Sequence, residues 1–201
     1  MSDNFVITKS YASIEIDRRE ALRYAGVRDN SPEMRELLDG CIAESADRLT
    51  YKLCYREYDI KFGDSEIDLG FTKTSSASLI NTLFGCRKII VFCATVGVDM
   101  DRLIQKYALI SPARSVMLQA LGSERVEAIC DRFCEEITSD VSATGGSVTR
   151  RFSPGYGDLL LDMQREIFVS LNPQKHIGVS LGADLFMTPT KSVTAIIGIK
   201  M

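Results

Sequence analysis

The sequence predicts an α+β protein, a single domain over residues 1–201 with a central, largely antiparallel twisted sheet flanked by helices. Three observations carry that expectation. Strand-like and helix-like segments occur in mixed order, without the regular alternation that builds a parallel sheet. The run RKIIVFCATVG (87–97) is compact, β-branched and bounded by turn residues, as a buried central strand should be. The chain then finishes on two strand-like segments, IGVSLGADLFM (177–187) and SVTAIIGIKM (192–201), with Pro189 between them. The central sheet is expected to contain residues 88–94, 177–182 and 192–199.

The remaining elements follow in order. Residues 17–25 read as a short helix, with Asp17 as N-cap, Glu20 completing a capping box and Gly26 at the C-terminal end. A turn at Asp29–Pro32 leads into a helix over about 32–52, where Met34, Leu37, Leu38, Cys41, Ile42, Ala46 and Leu49 recur at helical spacing. YREYDIKF and EIDLG read as two strands joined by a tight turn at Gly63–Asp64. Ser75 or Ser76 caps a helix over 77–84 that ends near Gly85.

Helices are next expected at about 99–108 and 112–139, separated by Ser111–Pro112. In the second, Val126, Ile129, Cys130, Phe133 and Ile137 make one apolar stripe. Glu124, Glu127, Asp131 and Glu135 run beside it, mostly on another face. SATGGS (142–147) is a loop, and a further helix is expected over about 159–171.

A chain of 201 residues buries about 70% of its unfolded surface and needs no covalent staples. The net charge of −3 supplies no basic footprint for nucleic acid. The longest mainly apolar stretch, Ile89 to Val98, is far short of the roughly 20 residues of a membrane span. MSDNFVITKS lacks the basic and apolar regions of a secretory signal, so the expected location is cytoplasmic. The six cysteines, Cys41, Cys54, Cys86, Cys93, Cys130 and Cys134, form no CxxC, and the one histidine, His176, lies 42 residues beyond the last of them. That spacing argues against zinc and for small buried hydrophobes in a reducing compartment.

The most informative segment is RFSPGYGD (151–158). Arg151 carries a guanidinium fork suited to a carboxylate or phosphate. Pro154 stiffens the loop, and Gly155 admits a positive φ or a close backbone approach. Tyr156 adds a ring with a polar tip. A helix beginning at Leu159 would turn its N-terminal amides towards a bound anion. Read as chemistry alone, the same pattern also describes a structural Pro-Gly turn.

This pattern, followed by HIGVSL (176–181) and MTPTKSVTAIIG (187–198), resembles the activation domain of cobalamin-dependent methionine synthase. The resemblance is strongest over 148–199 and extends upstream through FCATVGVDMDRLI and the helix containing ALGSERVEAICD. It implies an Arg-x-x-x-Gly-Tyr site for S-adenosylmethionine built from Arg151, Gly155 and Tyr156, with Pro154 in the loop and Glu127 as the matched helix carboxylate. It also implies a stand-alone module for reductive methylation of oxidised cobalamin. The partner would be a corrinoid-binding methyltransferase protein that carries the cobalamin, with a flavodoxin- or ferredoxin-type electron donor.

Two differences stand beside the likeness. Where the family continues through Pro-Ala-Cys-Pro, this chain has Gly157, Asp158 and three leucines. Full activation domains also run past the final strand, whereas this sequence stops at Met201. The alternative is therefore a docking protein that keeps the corrinoid partner and has lost the ligand. No nucleophile–base pair supports an independent enzyme. His176 is expected at the start of a strand, Lys191 in an exposed turn, and Asp99 and Asp101 as helix-capping residues.

Overall fold

The computed structural model describes residues 5–28 and 31–201. It opens with strand β1 (Ile7–Tyr11), helices α1 (Arg18–Tyr24) and α2 (Pro32–Ser45), and strand β2 (Tyr51–Asp59). Three short strands follow, β3 (Lys61–Phe62), β4 (Ile67–Asp68) and β5 (Lys73–Thr74), then helix α3 (Ala77–Leu83) and strand β6 (Lys88–Thr95). Helices α4 (Val98–Tyr107) and α5 (Pro112–Ser142) precede β7 (Ser147–Val148), α6 (Met163–Leu171) and α7 (Pro173–Ile177). The last strands are β8 (Ser180–Leu181), β9 (Met187–Thr188) and β10 (Ser192–Lys200). The turn expected at Asp29–Pro32 falls partly on residues 29–30, outside the described residues.

The principal sheet has the order β1-β2-β6-β10-β7, and every neighbouring pair is antiparallel. Strand β6 lies at its centre because both of its faces are apolar. Ile90, Phe92 and Ala94 enter one hydrophobic cluster, while Ile89, Val91 and Cys93 enter another on the opposite face. The two-residue period of a strand divides a continuous apolar run between two layers. Strand β10 repeats the division, with Ala195, Ile197 and Ile199 on one face and Ile196 on the other.

Helices α1, α2, α4 and α5 cover the first face, and α3, α6 and α7 contribute to the second. The 31-residue α5 lays Ile129, Cys130, Phe133 and Ile137 against the sheet, with the Phe133 ring 5.2 Å from that of Phe92. Truncating a buried phenylalanine of this kind typically costs about 3–5 kcal/mol. No helix among the described residues is long and apolar enough to cross a membrane.

Several local expectations change. Residues 177–182 do not join the principal sheet; β8 and β9 form their own two-stranded hairpin. Pro173 starts α7, and Gly178 ends it at φ 76°, so the apolar run is interrupted before it can pair with β10. His176 consequently lies in the last turn of α7 rather than at a strand start. Helix α2 ends at Ser45, not near 52, because β2 takes up the chain at Tyr51 and pairs across its length with β6.

The capping box at α1 is half formed. Asp17 Oδ1 accepts from the amides of Arg19 and Glu20, at 2.9 and 3.0 Å. The Glu20 carboxylate instead pairs with Arg23, and the Asp17 amide donates to Glu124 Oε1 at 3.0 Å. Glu124 therefore belongs to the interior, 3% exposed beside the fully buried Arg125, and not to an acidic surface face. Arg125 also donates to the Ile14 carbonyl at 2.7 Å and to that of Glu15. This buried pair holds the β1–α1 connection onto α5.

Candidate functional site

The loop containing Arg151 is anchored from both sides. Upstream, β7 pairs with the end of β10, and the Thr149 amide donates to the Gly198 carbonyl at 2.9 Å. Phe152 then exchanges two 2.8 Å backbone hydrogen bonds with Ile196. Residues 147–152 thus run along β10 and fix Arg151 at the sheet margin. Downstream, the chain turns sharply, with the Gly155 amide donating to the Leu159 carbonyl at 2.8 Å. Gly155 sits at φ 90°, a conformation that side chains rarely adopt.

The continuation through Gly157 and Asp158 docks this loop on α3. Asp158 Oδ1 accepts from Ser76 Oγ at 2.6 Å and from the Ser78 amide at 3.1 Å, while Oδ2 accepts from the Ala77 amide at 2.7 Å. The Ser76 hydroxyl, lying first among these donors, holds the Asp158 carboxyl well below the usual carboxylate range. A Cβ on Gly157 would come within 2.6 Å of Ser78 Oγ, so only glycine permits this approach. The segment after Asp158 forms successive turns, and α6 begins at Met163 rather than Leu159. The expected helix N-terminus at Leu159 is therefore absent.

Arg151 and Glu127 meet directly. The Arg151 guanidinium hydrogen-bonds to Glu127 Oε2 and lies 3.2 Å from Asp131 Oδ1. Glu127 and Asp131 stand one helical turn apart on α5, so they present their carboxylates together. The ion pair borders a cavity of about 390 Å³, within the roughly 300–1,000 Å³ usual for small-molecule sites. Pro154 and Tyr156 line it as well, with Pro154 buried and Tyr156 67% exposed. Gly155 shapes the turn without lining the cavity.

Gln164, Met187 and Thr194 are lining residues that the sequence reading missed. They arrive from α6, β9 and β10, and no local motif links them. The ion pair also borders a second cleft of about 900 Å³, whose walls include Asp17, Glu20, Tyr24 and Arg132. Arg151 and Glu127 accordingly stand between two concave surfaces.

Other singled-out residues serve the frame. Asp99 pairs with Arg102, whereas Asp101 accepts from the Thr190 amide at 2.8 Å and from its hydroxyl at 2.5 Å. Neither caps α4, whose N-cap is Gly97. Lys191 is not in an exposed turn: it is partly buried, and its ammonium donates to Ser123 Oγ at 3.0 Å. Burial pulls its pKa below the ordinary lysine value, with the Asp101 charge opposing. Among the described residues no group of three or more His, Cys, Asp or Glu side chains is placed to hold a metal ion.

Fold and cavity together define an α+β protein with a small-molecule-sized pocket where its helical layer meets the sheet margin. Its structure is similar to the crystal structure of the MetH reactivation domain bound to AdoHcy. That similarity has a TM-score of 0.71 at 16% identity and covers 96% of this chain and 78% of the other. The likeness seen in residues 148–199 thus extends, as a fold, over nearly the whole protein. No family model matches the sequence, and no curated protein matches it.

Proposed function

We propose that the protein binds S-adenosylmethionine in the cavity beside Arg151 and Glu127 and acts as a reactivation module for a cobalamin-dependent methyltransferase. One observation carries this reading: the two charged residues implied by the motif meet at a cavity of suitable size in a fold shared with the MetH reactivation domain. S-adenosylmethionine differs from the AdoHcy bound by that domain by one sulfonium methyl group. Its amino acid end is a zwitterion, and the Arg151–Glu127 pair is its charge complement. The ligand carboxylate would take the Arg151 fork, while its ammonium would take Glu127 or Asp131. Phe152, Met187 and Val193 offer apolar surface to the rest of the molecule.

S-adenosylmethionine and a cobalamin on the partner supply the chemistry, methyl transfer to reduced cobalt, with the electron from a flavodoxin- or ferredoxin-type donor. This chain would bind and orient the methyl donor, which is where an accessory domain lowers the barrier. Tyr156 and Leu160, 67% and 73% exposed, present apolar surface near the loop for a corrinoid protein.

The engagement of Arg151 by its own carboxylates favours a second reading, a corrinoid-docking protein without the ligand. Calorimetric titration with S-adenosylmethionine separates them. Saturable binding supports the module, and its absence removes it. If the module is right, the ligand and a cobalamin-loaded partner must change each other's affinity by the same factor.

A further inference from the structure

Arg151 is held by its own chain through a single nitrogen. Among the described residues, its side-chain hydrogen bonds both leave from Nη2, one to Glu127 Oε2 and one of 3.2 Å to Asp131 Oδ1. A guanidinium has two edges that offer a parallel pair of N–H groups, Nε with Nη2 and Nη1 with Nη2. Nη2 belongs to both. A carboxylate that takes either fork therefore meets a nitrogen already engaged, and one of the two internal acceptors must let go.

The surroundings decide which one. Glu127 lines the cavity, and its side chain is 35% exposed. Asp131 lines the second cleft and not the cavity, and its side chain is 65% exposed. Its 3.2 Å contact with Arg151 is at the long end of an ordinary hydrogen bond. Releasing Asp131 costs little, because an exposed ion pair is weak and the freed carboxylate turns into open solvent. Releasing Glu127 would leave a half-buried charge without its cation, which costs more.

We propose that Asp131 is an internal competitor for the Arg151 fork: it holds the guanidinium in the unliganded protein and is displaced by the carboxylate of the ligand's amino acid end. The proposal rests on the S-adenosylmethionine reading and adds a specificity-determining residue to it. Asp131 opposes a ligand that must take Arg151 and leaves untouched a ligand that has no carboxylate. Glu127 stays in place for the ligand's ammonium. Engagement of Arg151 by its own chain is then the resting arrangement of a ligand site.

The test titrates the full chain, Asp131→Asn and Asp131→Ala with two ligands. One is S-adenosylhomocysteine, whose amino acid end is a neutral zwitterion. The other is 5′-methylthioadenosine, which keeps the nucleoside and thioether but has no amino acid end. Glu135→Gln, which removes a charge from the same cleft one turn further along α5, is the control. Asp131→Asn and Asp131→Ala should bind S-adenosylhomocysteine about two- to fivefold more tightly than the parent, the worth of an exposed ion pair. Neither should bind 5′-methylthioadenosine more tightly, and Glu135→Gln should match the parent with both ligands. Asp131→Ala leaves no acceptor at all and is the deciding variant. If it binds S-adenosylhomocysteine no more tightly than the parent, the competitor role is overturned while ligand binding stands. Equal tightening of both ligands, or the same gain in Glu135→Gln, assigns the effect to general charge and also overturns it. Failure of the parent to bind S-adenosylhomocysteine overturns both this role and the S-adenosylmethionine reading.

Discussion

Asp158 closes the N-terminus of α3, accepting from the hydroxyl of Ser76 at 2.6 Å across 82 residues of chain. Ser76 is itself the helix N-cap, its Oγ accepting from the Leu79 amide at 3.2 Å. The carboxylate therefore extends a local cap into a tertiary tie and holds the Arg151 loop on a second element.

Asp158→Ala should lower Tm more than Asp162→Ala, because among the described residues the Asp162 carboxylate makes only a 3.5 Å contact with Arg165. The pH dependence has a definite sign. The folded-state pKa of Asp158 lies below its ordinary 3.8, so its contribution is complete above that value and is lost as the pH falls below it. Between pH 6 and pH 2.5 the gap in stability between the parent and Asp158→Ala should begin to narrow below about pH 4, without closing, because the folded-state pKa lies lower still. A gap that stays constant over that range would contradict the ionised cap.

Arg151→Ala should weaken S-adenosylmethionine binding much more than Arg150→Ala. Arg150 is exposed, whereas Arg151 borders the cavity. Loss of a charge-assisted fork costs roughly 1.5–3 kcal/mol, about ten- to a hundredfold in affinity. Calorimetry on both variants measures the difference, and equal effects would remove Arg151 from the site.

Arg125→Met should destabilise the fold by about 3–5 kcal/mol in urea titration, because it leaves the Glu124 carboxylate buried without its cation. Adding Glu124→Gln should recover part of the loss. A variant as stable as the parent would mean that Glu124 can reach solvent without unfolding.

The cysteines should be inert in the native state. All six are free; five are buried and Cys134 is partly so. Burial pushes Cys54 up to about 12 and Cys134 up to about 11. At pH 8, about one Cys134 in a thousand is thiolate, the reactive form. Iodoacetamide should modify Cys134 slowly and the others only after unfolding, as mass spectrometry of timed samples would show. Rapid labelling of Cys130 would contradict its placement.

Much of the architecture was legible because it depends on local periodicity. The continuous apolar run of β6 announced a strand buried on both faces, and the stripe from Val126 to Ile137 announced the inner side of α5. Asp17, the Ser75–Ser76 pair and Pro112 marked helix starts through caps and fixed dihedrals, and the structure chose Ser76 of the pair. Residues 177–182 misled because a short apolar segment fits an edge hairpin as well as a central strand.

The motif residues were nameable for the same reason: Arg151, Pro154, Gly155 and Tyr156 are neighbours along the chain. Their surroundings were not. Whether Glu124 is an exposed acid or the partner of a buried arginine depends on which side of a 31-residue helix meets the β1–α1 connection. Gln164 belongs to no local motif, and only the placement of α6 brings it to the cavity wall. Composition and spacing act over a few residues and determined the elements, the central strand and the loop. Partnerships such as Arg151 with Glu127, or Asp158 with Ser76, arise across 24 and 82 residues of chain. Only packing sets those distances, because helix and strand periodicity fix which face is apolar but not which neighbour it meets.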